Sequence, residues 1–99
     1  MNDSNTLKEL ERPVLLQFTA TWCGPCRILS PIIDKVAQAA NEVVDVRRID
    51  IDQEQQLASD FLIRGVPTLV LLDKNGDIYW RHTGLLSEKE ILRQIAGLP

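Results

Sequence analysis

The sequence predicts an α/β protein with a mixed central sheet of about four strands and helices on both faces. Short β-rich apolar runs alternate with segments of helical periodicity, an Asn-Gly turn joins the last two runs, and a capping sequence opens the final helix. At 99 residues, 44% hydrophobic and 25% charged, the chain suits one globular domain over residues 1–99. A domain of this size buries roughly 60 to 70% of its unfolded surface.

Each element has its own warrant. Pro13 to Ala20, PVLLQFTA, is nearly continuous in apolar residues, as suits a central strand buried on both faces. From Arg27 to Ala40, Ile28, Leu29, Ile32, Ile33, Val36 and Ala40 recur at spacings of three and four, the pattern of an amphipathic helix. Pro31 lies inside it, lacks a backbone donor and is expected to kink it. Val43 to Ile49 reads as a strand whose Asp45, Arg47 and Arg48 suit a sheet edge. A helix over about Gln53 to Leu62 follows, stopping at Arg64-Gly65. Pro67 to Leu72 is the third strand, with proline tolerated at its first position. Lys74-Asn75-Gly76-Asp77 returns the chain antiparallel as Ile78 to Arg81, and Gly84 breaks the pattern. Ser87-Glu88-Lys89-Glu90 is a capping box opening a helix through Ile91, Leu92, Ile95 and Leu98. Right-handed crossovers are expected to join the first three strands. The segment 1–12 leaves room for one short helix, Ser4 to Glu11, with Leu7 and Leu10 toward the core.

Composition excludes several partners. The net charge is −3, and the basic residues are scattered rather than gathered with aromatics, so nucleic acid is not expected to bind. The apolar runs fall far short of the roughly 20 residues that cross a bilayer. MNDSNTLKELER lacks a basic start leading into an apolar stretch, so with Met1 as the native start the expected location is the cytoplasm. His82 is a lone histidine and is expected to be a surface or packed residue, while Asp50, Asp52 and Glu54 are expected to be solvated ends.

Both cysteines fall in Trp22-Cys23-Gly24-Pro25-Cys26. As a structural staple the pair is weak, because a crosslink closing about four residues stabilises by only about 2 kcal/mol against roughly 4.7 for a 100-residue loop. As a metal clamp it is short of ligands, since structural zinc takes about four and the chain adds only a distant His82. No metal site is expected. A reactive pair and two inert buried thiols remain.

WCGPC between a buried strand and a helix, followed by Arg64-Gly65-Val66-Pro67-Thr68 and then Gly84, resembles the thioredoxin family over about Arg12 to Leu98. The resemblance implies a thioredoxin fold with a shortened N-terminal lead-in, where the family usually adds a further strand and helix. It also implies thiol–disulfide exchange. At a helix start, unpaired N–H groups and the positive end of the macrodipole favour the Cys23 thiolate, making Cys23 the nucleophile. Cys26, one turn deeper, is the resolving thiol. Pro25 suits a first helical turn, Gly24 permits close approach of another chain, and the Gly-Pro spacer points to a reducing member. Val66-Pro67 resembles the family's cis-proline turn, whose backbone can pair with an extended client segment. Trp22, Ile51, Val66, Pro67, Thr83, Gly84 and Leu85 are expected to rim Cys23.

Two departures from the family stand out. Gln17 occupies the place of a buried aspartate that accepts a proton from the resolving thiol, and an amide cannot do this. Slower resolution by Cys26 and an altered pH profile are expected, opposed by easier thiolate formation once a buried negative charge is gone. Arg48, where the family often has a lysine paired with that aspartate, is expected to face solvent or to assist a thiolate. Thr19 replaces a common aromatic residue. The implied function is a protein-disulfide reductase acting on disulfide-containing clients, monomeric, with no tightly bound cofactor and NADPH entering only through a thioredoxin reductase. A disulfide oxidase or isomerase, or a non-catalytic protein-binding module, are the alternatives.

Overall fold

The computed structural model describes residues 10–99, so the helix expected over Ser4 to Glu11 lies almost wholly outside the described residues. From Leu10 the chain runs without helix into β1 (Val14–Thr19). The succeeding elements are α1 (Gly24–Ala39), β2 (Asp45–Asp50), α2 (Gln55–Asp60), β3 (Thr68–Leu72), β4 (Ile78–Thr83) and α3 (Glu88–Ala96). The strands form one sheet in the order β2-β1-β3-β4.

β1 is central, as its apolar run requires. Val14 to Phe18 are all buried, and the alternating side chains feed two cores. Leu15 joins Leu69 and Leu71 beneath Leu29, Ile33 and Val36 of α1 and Ile91 and Ile95 of α3. On the opposite face Val14, Leu16 and Phe18 meet Ile49, Val70 and Leu72, covered by Leu57, Ala58 and Phe61. The rings of Phe18 and Phe61 lie 5.7 Å apart, tilted by 51°. Leu10 packs against this second core, and Arg12 donates to the carbonyls of Asn41 and Val44, tying the lead-in to the turn before β2.

One expectation about direction fails. β1 and β2 are parallel, with Gln17 opposite Arg48, but β3 is antiparallel to β1, with Gln17 opposite Leu69. Only the first connection is therefore a parallel crossover. The connection through α2 carries the chain from Asp50, opposite Thr19, to Thr68, opposite Phe18, so β3 starts at the end of the sheet where β2 finishes and has to run back. The helix also ends before Arg64-Gly65. Leu62 takes a left-handed φ of 55°, its N–H donates to the Ser59 carbonyl, and the Ile63 N–H donates to that of Ala58. These two bonds make a Schellman ending in which leucine replaces the usual glycine. Arg81 supports it by donating to the carbonyls of Phe61 at 2.8 Å and Leu62 at 3.4 Å.

The Asn-Gly hairpin forms with a longer turn than two residues. Gly76, at φ 83°, donates to the Asp73 carbonyl, while the Asp73 carboxylate accepts from the backbones of Asn75 and Asp77. The register shifts beside Leu71 and Leu72, and past it Trp80 turns to the core while Tyr79 stays exposed. Trp80 packs on the α1–α3 core, and the Tyr79 hydroxyl donates to the Gly97 carbonyl at 2.9 Å. Ser87 caps α3 by accepting from the Glu90 N–H at 3.2 Å, one half of the capping box; the Glu90 carboxylate pairs with Arg93 instead of returning to the Ser87 N–H.

Candidate functional site

α1 begins at Gly24, one turn earlier than the apolar periodicity alone places it, because Pro25 preorganises the first turn and Cys23 serves as N-cap. Cys23 holds an extended conformation (φ −97°, ψ 111°), and its Sγ accepts the Cys26 N–H at 3.2 Å. Sulfur here takes the position usually held by a Ser, Thr or Asp oxygen. Cys23 and Cys26 are joined in a disulfide whose Cα atoms lie 5.3 Å apart. Cys23 is 5% exposed and Cys26 1%, so the pair opens to solvent on the Cys23 side. Nothing acidic occupies the first turn of α1. A Cβ built on Gly24 meets nothing within 4 Å, leaving open space beside the nucleophile candidate.

Val66-Pro67 is a cis peptide, and the Val66 carbonyl oxygen lies 3.7 Å from Cys23 Sγ. Thr68 holds this loop: its hydroxyl donates to the Gly65 carbonyl at 2.6 Å and sits 3.0 Å from the Thr83 hydroxyl. Gly84, at φ 108°, donates from its backbone to the Pro67 carbonyl at 2.9 Å. Of the expected rim, Ile51 and Val66 pack against Ala20, Cys23 and Cys26. Pro67, Thr83 and Gly84 are tied together behind Val66. Trp22 is 66% exposed and donates its indole N–H to Asp52 Oδ2 at 2.8 Å. Leu85 is exposed, and its carbonyl lies 3.2 Å from His82 Nε2, while the His82 ring stacks on Trp80. Asp52 is therefore more than the solvated end expected of it, since it anchors the tryptophan of the motif.

Gln17 is fully buried, on the face of β1 toward α1. Arg48 does not simply face solvent: its Nε donates to Gln17 Oε1 at 2.8 Å, and one terminal nitrogen reaches the Ser30 carbonyl at 2.9 Å and Asp34 Oδ1 at 2.5 Å. Gln17 Nε2 donates in turn to Ser30 Oγ at 3.2 Å. Ser30 and Asp34 escaped the sequence reading. Their signal is the spacing Cys26, Ser30, Asp34, which puts one polar stripe on a single face of α1. Among the described residues, no group of three or more His, Cys, Asp or Glu is placed to hold a metal ion, and no helix is long and apolar enough to cross a membrane.

Two adjacent sulfurs, one capping a helix and one buried behind it, are the pair that disulfide exchange needs. The fold and the pair make this a thiol–disulfide oxidoreductase. The family model described as Thioredoxin matches residues 2–97. Thioredoxin of Rickettsia felis is 37% identical over 93% of this chain and 90% of its own length. Thioredoxin Y2, chloroplastic, of Arabidopsis thaliana is 34% identical over 90% of this chain, which spans only 53% of that relative. The crystal structure of a thioredoxin from Nicotiana alata superposes with a TM-score of 0.81 at 32% identity, covering 94% of this chain and 78% of that one. The chain belongs to the thioredoxin family.

Proposed function

We propose that the chain is a protein-disulfide reductase, and the observation that carries this reading is the placement of Cys23. It caps α1 through Cys26 N–H, has no acid in its helical turn and faces the Val66 carbonyl across 3.7 Å. In the reduced form the cap N–H and the helix dipole stabilise a Cys23 thiolate. That thiolate attacks a client disulfide, forming a Cys23–client bond and releasing the other client sulfur as a thiolate. Cys26 then gives its electron pair to Cys23 Sγ, the Cys23–client bond breaks, and the second client thiolate leaves. Two electrons pass to the client, the two thiol protons end on its two sulfurs, and Cys23–Cys26 is left oxidised. The Val66 backbone, held by Thr68 and by the Gly84 bond to Pro67, offers an edge along which an extended client segment pairs.

A thioredoxin reductase is the proposed electron donor, with NADPH taking part only through it. The chain itself holds no cofactor tightly in this reading and works as a monomer. The reducing environment of the cytoplasm is where such a pair is returned to its dithiol form.

NADPH-coupled reduction of insulin by the chain and a thioredoxin reductase tests the proposal. Turnover by the parent, its loss in Cys23→Ser and accumulation of mixed disulfides in Cys26→Ser are expected. Full turnover in Cys23→Ser sinks the assignment of the nucleophile. A reduction potential near that of a strong oxidant, roughly −120 mV, instead of the roughly −270 mV of a reductant, would reverse the direction. A double Cys→Ala chain that keeps its biological role would make it a binding module.

A further inference from the structure

Three polar side chains behind the disulfide form a hydrogen-bonded chain with a single direction. The Arg48 guanidinium can only donate, so the Gln17 oxygen must face Arg48 Nε and the Gln17 amide nitrogen must face Ser30 Oγ. That orientation follows from chemistry rather than from a choice between similar atoms. Ser30 Oγ, having accepted from Gln17, still has its own O–H to donate. Ser30 follows Cys26 by four positions on α1, and such neighbours have Cβ atoms about 5–6 Å apart. Helical side chains lean toward the N-terminus, which puts Cys26 within the turn that the Ser30 side chain faces; in the disulfide form Ser30 Oγ is bonded to Gln17 and not to Cys26 Sγ. Arg48 itself is fixed at three points, Gln17, the Ser30 carbonyl and Asp34.

We propose that Arg48, Gln17 and Ser30 are positioning residues whose aligned donors, once the pair is reduced and the Ser30 hydroxyl turns to it, extend from a cation to the Cys26 sulfur and stabilise the Cys26 thiolate. Its importance in turnover rests on the reductase reading above; the stabilisation itself does not. A carboxylate at position 17 would repel negative charge on Cys26 and take up its proton. The Gln17 amide does neither, and instead passes the polarity of Arg48 inward through two neutral groups in a buried, low-dielectric setting where aligned bonds reinforce each other. Proton balance needs no protein base. The client thiolate released in the first exchange is itself a base and takes up the proton that Cys26 loses, directly or through water, as the Cys26 electron pair moves to Cys23 Sγ.

The charged groups around Cys26 are few. On its own helix Cys26 has Cys23 in the preceding turn, Arg27 next in sequence with its guanidinium donating to the Thr21 carbonyl, and Asp34 two turns on, held by Arg48. β1 contributes the neutral Gln17, β2 contributes Arg48 and, on the same face, Asp50, whose carboxylate accepts the Asp52 N–H, and Ile51 and Val66 add no titratable side chain.

The test is titration of the Cys26 thiol by its ultraviolet thiolate absorbance in the full chain carrying Cys23→Ser. It uses neither client nor reductase, so failure of the reductase reading leaves its outcome intact. Ser30→Ala cuts the chain while keeping the Arg48 charge, and should raise the Cys26 pKa by about one unit. Ser30→Thr, which keeps the hydroxyl, should restore the parent value. Arg48→Met should raise it at least as far as Ser30→Ala. If Ser30→Ala titrates like the parent, the proposal fails, whether Arg48→Met shifts the pKa through space or not. Alanine is a good helix former at a helical position, so the deciding variant folds even if loss of Arg48 does not permit folding.

Discussion

Two helices of this protein start with the same hydrogen bond and use it for different ends. At α3, Ser87 Oγ accepts the Glu90 N–H at 3.2 Å; at α1, Cys23 Sγ accepts the Cys26 N–H at the same 3.2 Å. The geometry of a cap three residues from its donor is therefore common to both. What separates them is the charge already present. Glu88 and Glu90 occupy the first turn of α3 and complement its dipole, whereas the first turn of α1 has no acidic residue. In the proposed reaction the dipole of α1 is left available for a charge that appears only when Cys23 is reduced, and a stabilising device becomes a reactive one.

The sharpest way to break the comparison is Cys23→Ser. Serine retains the cap, so against the reduced parent the urea midpoint should move little, while insulin reduction should vanish. A large fall in the midpoint would show that the sulfur stabilises the fold as well. Next in size is Gly24→Asp, which gives α1 the acid that α3 already has. The open space at Gly24 accommodates the side chain. The Cys23 pKa should rise by about half a unit to one unit, read from the pH dependence of iodoacetamide labelling. Because the raised pKa lowers the thiolate fraction, labelling should slow most at neutral pH and recover at alkaline pH. Equal labelling rates at every pH would deny the dipole a role.

On the α3 side the expected effects are on stability alone. Ser87→Ala should cost about 1 kcal/mol in urea unfolding and leave turnover unchanged. Glu88→Gln removes one of two acids from an exposed first turn and should cost only about 0.3 kcal/mol, an effect that shrinks with added salt. A change in turnover for either variant would mean that α3 communicates with the site, contrary to the contrast drawn here.

Local signals in the sequence were read correctly where a residue type dictates its own geometry. Ser87 with Glu90, Pro25 after Gly24 and the apolar run of β1 each specify their structure within a few residues. The cis bond at Pro67 followed from family resemblance rather than from such local physics. The misread direction of β3 turned on where the chain re-enters the sheet after α2, which ends at Asp60 and is followed by a left-handed turn at Leu62 that no glycine announced. Arg48 was misread for a related reason. Its partners are Gln17 on the neighbouring strand and Asp34 on a helix, and neither separation in sequence suggests contact. Trp22 with Asp52 repeats the lesson, because the pair forms only when the ends of β1 and β2 lie side by side.

The reversed direction of β3 has a consequence for assembly of the site. Antiparallel pairing sets Thr68, the first residue of β3, opposite Phe18, near the last residue of β1, and sets Thr83 opposite Thr68. The chain leaves β1 toward Cys23 at the same end of the sheet at which it enters β3 from Pro67 and leaves β4 toward Gly84. Had β3 run the other way, Pro67 would stand at the far end of a five-residue strand, roughly 17 Å off. One change of heading thus gathers three segments remote in sequence onto a single rim, and the heading of β3 acts as a spatial address for the cysteines.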